Sequence, residues 1–300
     1  MKDKALKKKG NLLKSFEPLL WLAPCLILMG VFILYPVVNV IYSSFCDIGR
    51  SGLIKSVGTL DNYREVFANP VFGRVIINTF VWTIAIVAIS TFFAVILALV
   101  LNTKFVGVKI ARAVLVIPWG TSLMVFACAW KYIFDYNYGY LNSLFEKLGW
   151  AAKPINWLGG SPWGAFACLI FVGIIVTVPF MTFTLLSGLQ SISNDYYEAA
   201  TIDGASGWQK FWKITFPLLR PSLNVSTVLN IIYVFNSFAI IHNITAGAPA
   251  HQTDTIMTFM YSAAFSAHSY GEANAISVVS FVILMIISYL YLKLLMKEDE

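Results

Sequence analysis

Six stretches of the chain carry no Asp, Glu, Lys or Arg: Pro18 to Cys46, Val75 to Thr103, Ala113 to Trp130, Ile155 to Asn194, Pro221 to Thr253 and Ala273 to Leu292. A spanning helix needs about 20 mostly apolar residues, and a charge at mid-bilayer costs on the order of 3 kcal/mol on insertion scales. Charge-free windows separated by charged connectors therefore predict an all-α integral membrane protein with six transmembrane helices. The windows opening at Ile155 and Pro221 are longer than one span requires, so part of each is expected in loop or interface.

Composition agrees. The hydrophobic fraction is 58% and the charged fraction 12%, against about 45–50% and about 25% in soluble domains. A net charge of +6 would suit a nucleic-acid binder, but Lys2, Lys4, Lys7, Lys8, Lys9 and Lys14 crowd the first residues, directly before an apolar run. That placement points to a membrane and to no nucleic acid. The run from Pro18 exceeds the apolar core of a secretory signal, about 7–15 residues, and reads as an uncleaved first span.

Lys and Arg set the orientation. With the N-terminus inside, the cytoplasmic segments hold the N-terminal six together with Lys104, Lys109, Arg112, Lys210, Lys213, Arg220, Lys293 and Lys297. Arg50, Lys55, Arg64, Arg74, Lys131, Lys147 and Lys153 fall outside. The positive-inside rule then places both termini in the cytoplasm. Residues 1–17 become a basic cytoplasmic tail, 18–296 a six-span domain, and 297–300 a short cytoplasmic tail. Asp47 to Arg74, Lys131 to Pro162 and the segment around Ile244 to Glu272 become external, with Trp150, Trp157 and Trp163 near their borders. The four cysteines lie in or beside apolar runs, so no disulfide framework is expected.

The loop 195–221, between the fourth and fifth spans, carries the most informative pattern. Ser193, Asn194 or Asp195 can cap a first short helix, Glu198 sits near its positive end, and Ala199 and Ala200 favour helix. Asp203 closes it. Gly204 and Gly207 supply a turn, after which Trp208, Phe211, Trp212 and Ile214 form an apolar stripe at helical spacing, ended by Pro217. Two readings fit this periodicity: a helix pair that plugs into a partner's groove, or an amphipathic segment lying on lipid.

Glu198-Ala199-Ala200, three residues, Gly204, nine residues, Ile214, one residue and Phe216-Pro217 resembles the EAA signature of binding-protein-dependent ABC importer permeases, with Phe216 where leucine is usual. Leu22-Ala23-Pro24, Tyr35-Pro36, Ser44-Phe45, Asp61-Asn62-Tyr63, Asn78-Thr79 and Ile244-Thr245-Ala246-Gly247-Ala248-Pro249 extend the likeness over nearly the whole chain. Together they are similar to the first of two permease subunits in carbohydrate importers of the maltose and glycerol-phosphate type. Ala248 stands where that subset usually has a second glycine.

The resemblance implies a type I ABC importer permease fold in a bacterial plasma membrane. It implies a second permease subunit as heterodimer partner, two cytoplasmic ATPase subunits, an extracytoplasmic solute-binding protein, and a sugar or sugar derivative as substrate. ATP and magnesium would belong to the ATPase chains, with no cofactor bound here. It assigns coupling to Glu198, Ala199, Ala200, Asp203, Gly204, Trp208, Phe211, Ile214 and Pro217, with Glu198 facing a basic group on the ATPase and Gly204 holding the bend.

For the substrate path, Asn230, Val234 and Ser237 share one helical face of span five beside Tyr233, and Gly173, Val176, Thr177 and Phe180 form a similar stripe in span four. By offset from the EAA glutamate these match sugar-contacting positions of the maltose-type subunit. Neutral amides, hydroxyls and aromatic faces suit a sugar; helix-helix hydrogen bonding is the alternative role.

His242, His251 and His268 have no spacing that makes a metal site. The sequence shows no phosphate-cradling glycine loop and no nucleophile-base pair, so no catalytic residue is expected. An ion-driven secondary transporter would carry ionisable residues inside the spans and broken-helix repeats. A non-transporting assembly subunit is the other alternative.

Overall fold

The computed structural model describes residues 21–151 and 153–298. The expected tail 1–17, the start of the first window at Pro18 and the last two residues of the 297–300 tail lie outside them. Among the described residues, five helical runs are long and apolar enough to cross a membrane: Trp21–Ser44, Phe72–Asn102, Pro162–Gln190, Gly207–Ile244 and Tyr270–Lys293. A sixth span exists only if the bent pair Val108–Gly120 and Leu123–Ile133 counts as one.

That pair is where the window Ala113 to Trp130 departs from a straight helix. The two halves turn by 95°, and Thr121 and Ser122 between them are extended, with ψ of 143° and 127°. The cause lies in Pro118-Trp119-Gly120-Thr121-Ser122, where proline, glycine and hydroxyl residues remove the ladder and offer side-chain bonds instead. Thr121 Oγ1 donates to Ile117 O at 2.7 Å.

The chain divides into two units. The first holds the described residues up to Val66 together with Ala263–Val279. In it α1 (Trp21–Ser44) contains a wide turn at Gly30–Leu34 and buries almost none of its apolar surface within the chain. A two-stranded hairpin follows, β1 (Cys46–Ile48) antiparallel to β2 (Ile54–Val57), in a stretch expected only to be an external loop. The amide of Asn62, near the start of α2 (Asp61–Ala68), donates to Ser44 O and Cys46 O, each at 2.9 Å. Ser44 Oγ and Tyr63 Oη lie 2.8 Å apart. Ser44-Phe45 and Asp61-Asn62-Tyr63 are thus one structure, which satisfies the carbonyls at the end of α1. The Thr59 hydroxyl, donating to Asp61 at 2.6 Å, holds that carboxyl below its ordinary range.

The second unit holds Phe67–Ser262 and the chain from Ser280 onward. Its frame is α3 (Phe72–Asn102) packed along the helix Pro162–Gln190. The bent pair between them is α4 (Val108–Gly120) and α5 (Leu123–Ile133), followed by α6 (Tyr140–Lys147), so Pro162–Gln190 is α7. After α8 (Asn194–Ile202) and α9 (Gly207–Lys210), a wide turn at Phe211–Thr215 leads into α10 (Phe216–Phe235). Then come α11 (Ala239–Ile244), α12 (Ile256–Tyr261) and α13 (Tyr270–Glu298), which runs through both units.

Pro217 does not end the second short helix. The helix runs on through Phe211–Thr215 into α10. Phe216 N–H donates to Phe211 O across this wide turn, so the donor-less proline falls where the regular ladder is already interrupted. Span five therefore starts at Gly207, well before the charge-free window at Pro221.

Two apolar clusters fill this unit. One joins Trp82, Ile86, Leu169, Val172, Val176, Val234 and Ile241; the other joins Ala94, Ala98, Leu101, Met181, Leu185 and Leu219. Gly173 is where α7 crosses α3, since a Cβ there would collide with Ile86 Cδ1 and lie 3.2 Å from Trp82. Trp82 Nε1 donates to Val234 O at 2.9 Å, taking up a carbonyl of the last turn of α10.

Candidate functional site

Two cavities lie at opposite ends of the second unit. Pro70, Arg74, Pro162, Trp163, Ala250 and Gln252 line a cavity of about 640 Å³ at one end. Lys104, Arg112, Gln190, Asn194 and Tyr197 line one of about 760 Å³ at the other.

At the first end, Asn78 donates to Gln252 O at 2.9 Å and Asp254 O at 3.0 Å, and Ile256 N–H donates to Thr79 Oγ1 at 2.9 Å. Asn78-Thr79 thereby staples the loop after α11 to α3. Within that loop Gly247, at φ 83°, abuts the Asp254 carboxylate and has no room for a side chain. Ala248 is not among the positive-φ positions, so the backbone there does not require glycine. His251 Nδ1 lies 2.6 Å from Asp254 Oδ2.

At the second end, Ser193 caps α8, accepting from Asp195 N–H at 3.3 Å. Glu198 and Ala199 are exposed on this helix, Ala200 is half-buried, and the Glu198 carboxylate has no partner among the described residues. Asp203 follows, and Gly204 turns the chain at φ 76° with open space around its Cα. Gly207 is not part of the turn. It is the first residue of α9, which Ser206 and Gln209 close with a reciprocal capping box.

Two bonds tie the helices together: Lys210 Nζ to Thr201 Oγ1 at 2.7 Å, and Tyr197 Oη with Thr215 Oγ1 at 3.0 Å. The expected stripe splits. Phe211 and Ile214 turn partly inward, whereas Trp208 is 72% exposed and Trp212 46%. Their rings pack edge to face at 5.6 Å. With Tyr196 and Ile202 also exposed, the helix pair presents an apolar surface beside an unpaired carboxylate. Pro217 is exposed at the base of α10.

The eight substrate-path residues fall into two groups. Gly173, Val176, Thr177, Asn230 and Val234 are packed inside the unit. Thr177 donates back to Gly173 O at 2.5 Å. The Asn230 amide donates to Ser90 Oγ at 3.1 Å and approaches Met181 Sδ at 2.8 Å. Tyr233 is exposed, Ser237 is half-buried just beyond α10, and Phe180 stacks on Trp119 at 6.4 Å. Val225, Leu229, Ile232, Tyr233 and Asn236 make the accessible stripe of α10. Asn236 is the polar residue that reasoning from Asn230 missed, because period alone cannot say which of two adjacent faces is covered.

A model of the family described as binding-protein-dependent transport system inner membrane component matches residues 90–297. A probable ABC transporter permease protein of Brucella abortus is 38% identical over 283 residues, covering 94% of this chain and 98% of that protein. The trehalose/maltose transport system permease protein MalF of Thermococcus litoralis is 35% identical over 275 residues, covering 91% and 92%. A chain of a bacterial ABC transporter involved in the import of the acidic polysaccharide alginate superposes with a TM-score of 0.84 at 21% identity, covering 95% of this chain and 98% of that one; it shares the fold.

Proposed function

The chain belongs to the binding-protein-dependent transport system inner membrane components, multi-pass permease subunits of ABC transporters, and on that premise we propose that it imports a sugar or sugar derivative. The solute is delivered by an extracytoplasmic binding protein and passes between this subunit and a second permease. Two ATPase chains supply ATP and magnesium at the cytoplasmic end, and both termini lie on that side.

The observation that carries the reading is the helix pair α8–α9. An unpaired Glu198 and the exposed Trp208 and Trp212 sit on a unit continuous with span five through Phe211–Thr215. A groove on a soluble motor that grips this surface moves α10 with it, because α9 continues into α10 and α8 is tied to that helix by the Tyr197–Thr215 and Lys210–Thr201 bonds. Among the described residues of α3, α7 and α10 the buried polar side chains are all neutral, which suits an uncharged hydroxyl-rich solute and does not suit ion coupling. The carbohydrate named for the Thermococcus relative points the same way. Tyr233, Ser237 and Phe180 are the positions on the path that a solute reaches, and Asn230 and Thr177 hold the helices behind them.

The test is purification of the intact complex with Glu198→Arg in this chain. The ATPase and a second permease should co-purify and hydrolyse ATP, while uptake into vesicles is lost. Wild-type uptake by this variant, or purification without any ATPase chain, would refute the proposal.

A further inference from the structure

The cavity beside the coupling helices holds more positive charge than the chain itself satisfies. Lys104 is exposed in the α3–α4 connection and has no partner among the described residues. Arg112 is half-buried; its Nη2 donates to Leu101 O at 2.7 Å, while its fully shielded Nε–H has no acceptor. The two cations line a cavity of about 760 Å³ with Phe105, Val106, Asn194 and Tyr197. The lining residues include these two cations and no carboxylate, so the cavity is electropositive and suits an anion supplied from outside.

The walls say which anion. Val106 is 103% exposed, and from the rim of the cavity Ile110, Val114 and Ile117 form an exposed apolar lane along α4 at i, i+4 and i+7. A free phosphate has no use for such a lane, whereas a molecule with a charged head and two hydrocarbon chains matches both parts. Basic pockets between helices at the cytoplasmic face suit anionic lipid headgroups.

We infer that the Lys104–Arg112 cavity binds the phosphate headgroup of an anionic phospholipid of the inner leaflet, with its chains laid along Ile110, Val114 and Ile117. The inference rests on the proposed function for the placing of this end at the cytoplasmic face. Its consequence is regulatory. Tyr197 and Asn194 of the cavity wall belong to α8, so an occupied cavity braces the coupling helix from the side facing α4.

The intact complex reconstituted in nanodiscs of phosphatidylcholine, alone or with phosphatidylglycerol, tests this with two readouts: phosphatidylglycerol retained in native mass spectrometry, and solute-stimulated ATP hydrolysis. In the wild type, phosphatidylglycerol should be retained and should raise hydrolysis. Lys104→Gln and Arg112→Gln should each raise the phosphatidylglycerol content needed for half effect by about fivefold. Lys109→Gln, a base of the first turn of α4 that does not line the cavity, should shift it less. Arg112 also closes the end of α3, so Arg112→Lys, which keeps the charge, should retain most of the lipid effect.

Equal shifts for Lys104→Gln and Lys109→Gln would mean general surface attraction and overturn the site. So would reproduction of the effect by inorganic phosphate in phosphatidylcholine discs, or cross-linking of Val106→Cys to an ATPase chain in every state of the cycle. Loss of hydrolysis in all lipids would count against the transport reading alone, because lipid retention is read without turnover.

Discussion

Tyr197 of α8 and Thr215 of the wide turn before α10 meet through their hydroxyls at 3.0 Å, joining the first of the two short helices to the root of span five. Thr215 is buried and Tyr197 half-buried, so the bond is shielded from competing water at one end. It complements the Lys210–Thr201 bond at the exposed end of the same pair.

Removing the Tyr197 hydroxyl should therefore loosen the transmission and spare the docking surface. Tyr197→Phe is expected to lose about 1 kcal/mol of stability, the net worth of an ordinary hydrogen bond. Solute uptake should fall several-fold while ATP hydrolysis persists. The ratio of solute moved to ATP hydrolysed checks this; an unchanged ratio means the bond carries no force.

Gly204 lies in the left-handed region with nothing within 4 Å of where a Cβ would be. The strain of a substitution there is purely conformational, about 1–2 kcal/mol for an L-residue. Gly204→Val should impair uptake strongly, and Gly204→Asn, which tolerates that conformation, should impair it much less. Measured uptake in the order Gly, Asn, Val supports the turn; equal loss in both variants would point to space rather than backbone geometry.

Gly173 behaves in the opposite way, because its surroundings are full. Gly173→Ala forces a methyl against Ile86 Cδ1 and should destabilise the subunit by about 1–3 kcal/mol, as overpacking does. Ile86→Val in the same chain should restore part of the loss. Thermal unfolding of the two variants in one detergent decides it.

Tyr233 and Asn230 sit three residues apart on α10, yet one is exposed and the other buried. Tyr233→Ala should alter solute preference with little change in melting temperature. Asn230→Leu should lower stability and expression, because Ser90 and Met181 lose their partner. Competition between solutes in an uptake assay, run beside thermal unfolding, separates the two roles. A shifted preference in Asn230→Leu with normal stability would reverse the assignment.

Much of this was legible along the chain. The apolar windows located the spans because lipid permits few buried charges. The spacing from Glu198 to Pro217 located the helix pair α8–α9 because a helix-turn-helix needs its glycine and its caps at particular offsets. Asn62, Asn78 and Gly247 stood out as motif residues without a visible reason. The reason appears only when Asn62 is seen on Ser44 O and Cys46 O, Asn78 on the Gln252 and Asp254 carbonyls, and Gly247 against the Asp254 carboxylate.

By itself, then, the sequence determined the membrane as solvent, the order of spans and loops, and the position of the short helix pair ahead of span five, since each follows from local composition and short-range spacing. Tertiary structure decided the rest. It bent the third window at Thr121 and Ser122, carried α9 through Pro217 into α10, and chose which face of α10 is covered by α3. These depend on partners far away in the chain, such as Trp82 against Val234 and Ile86 against Gly173, and no local period encodes which neighbour a helical face will meet.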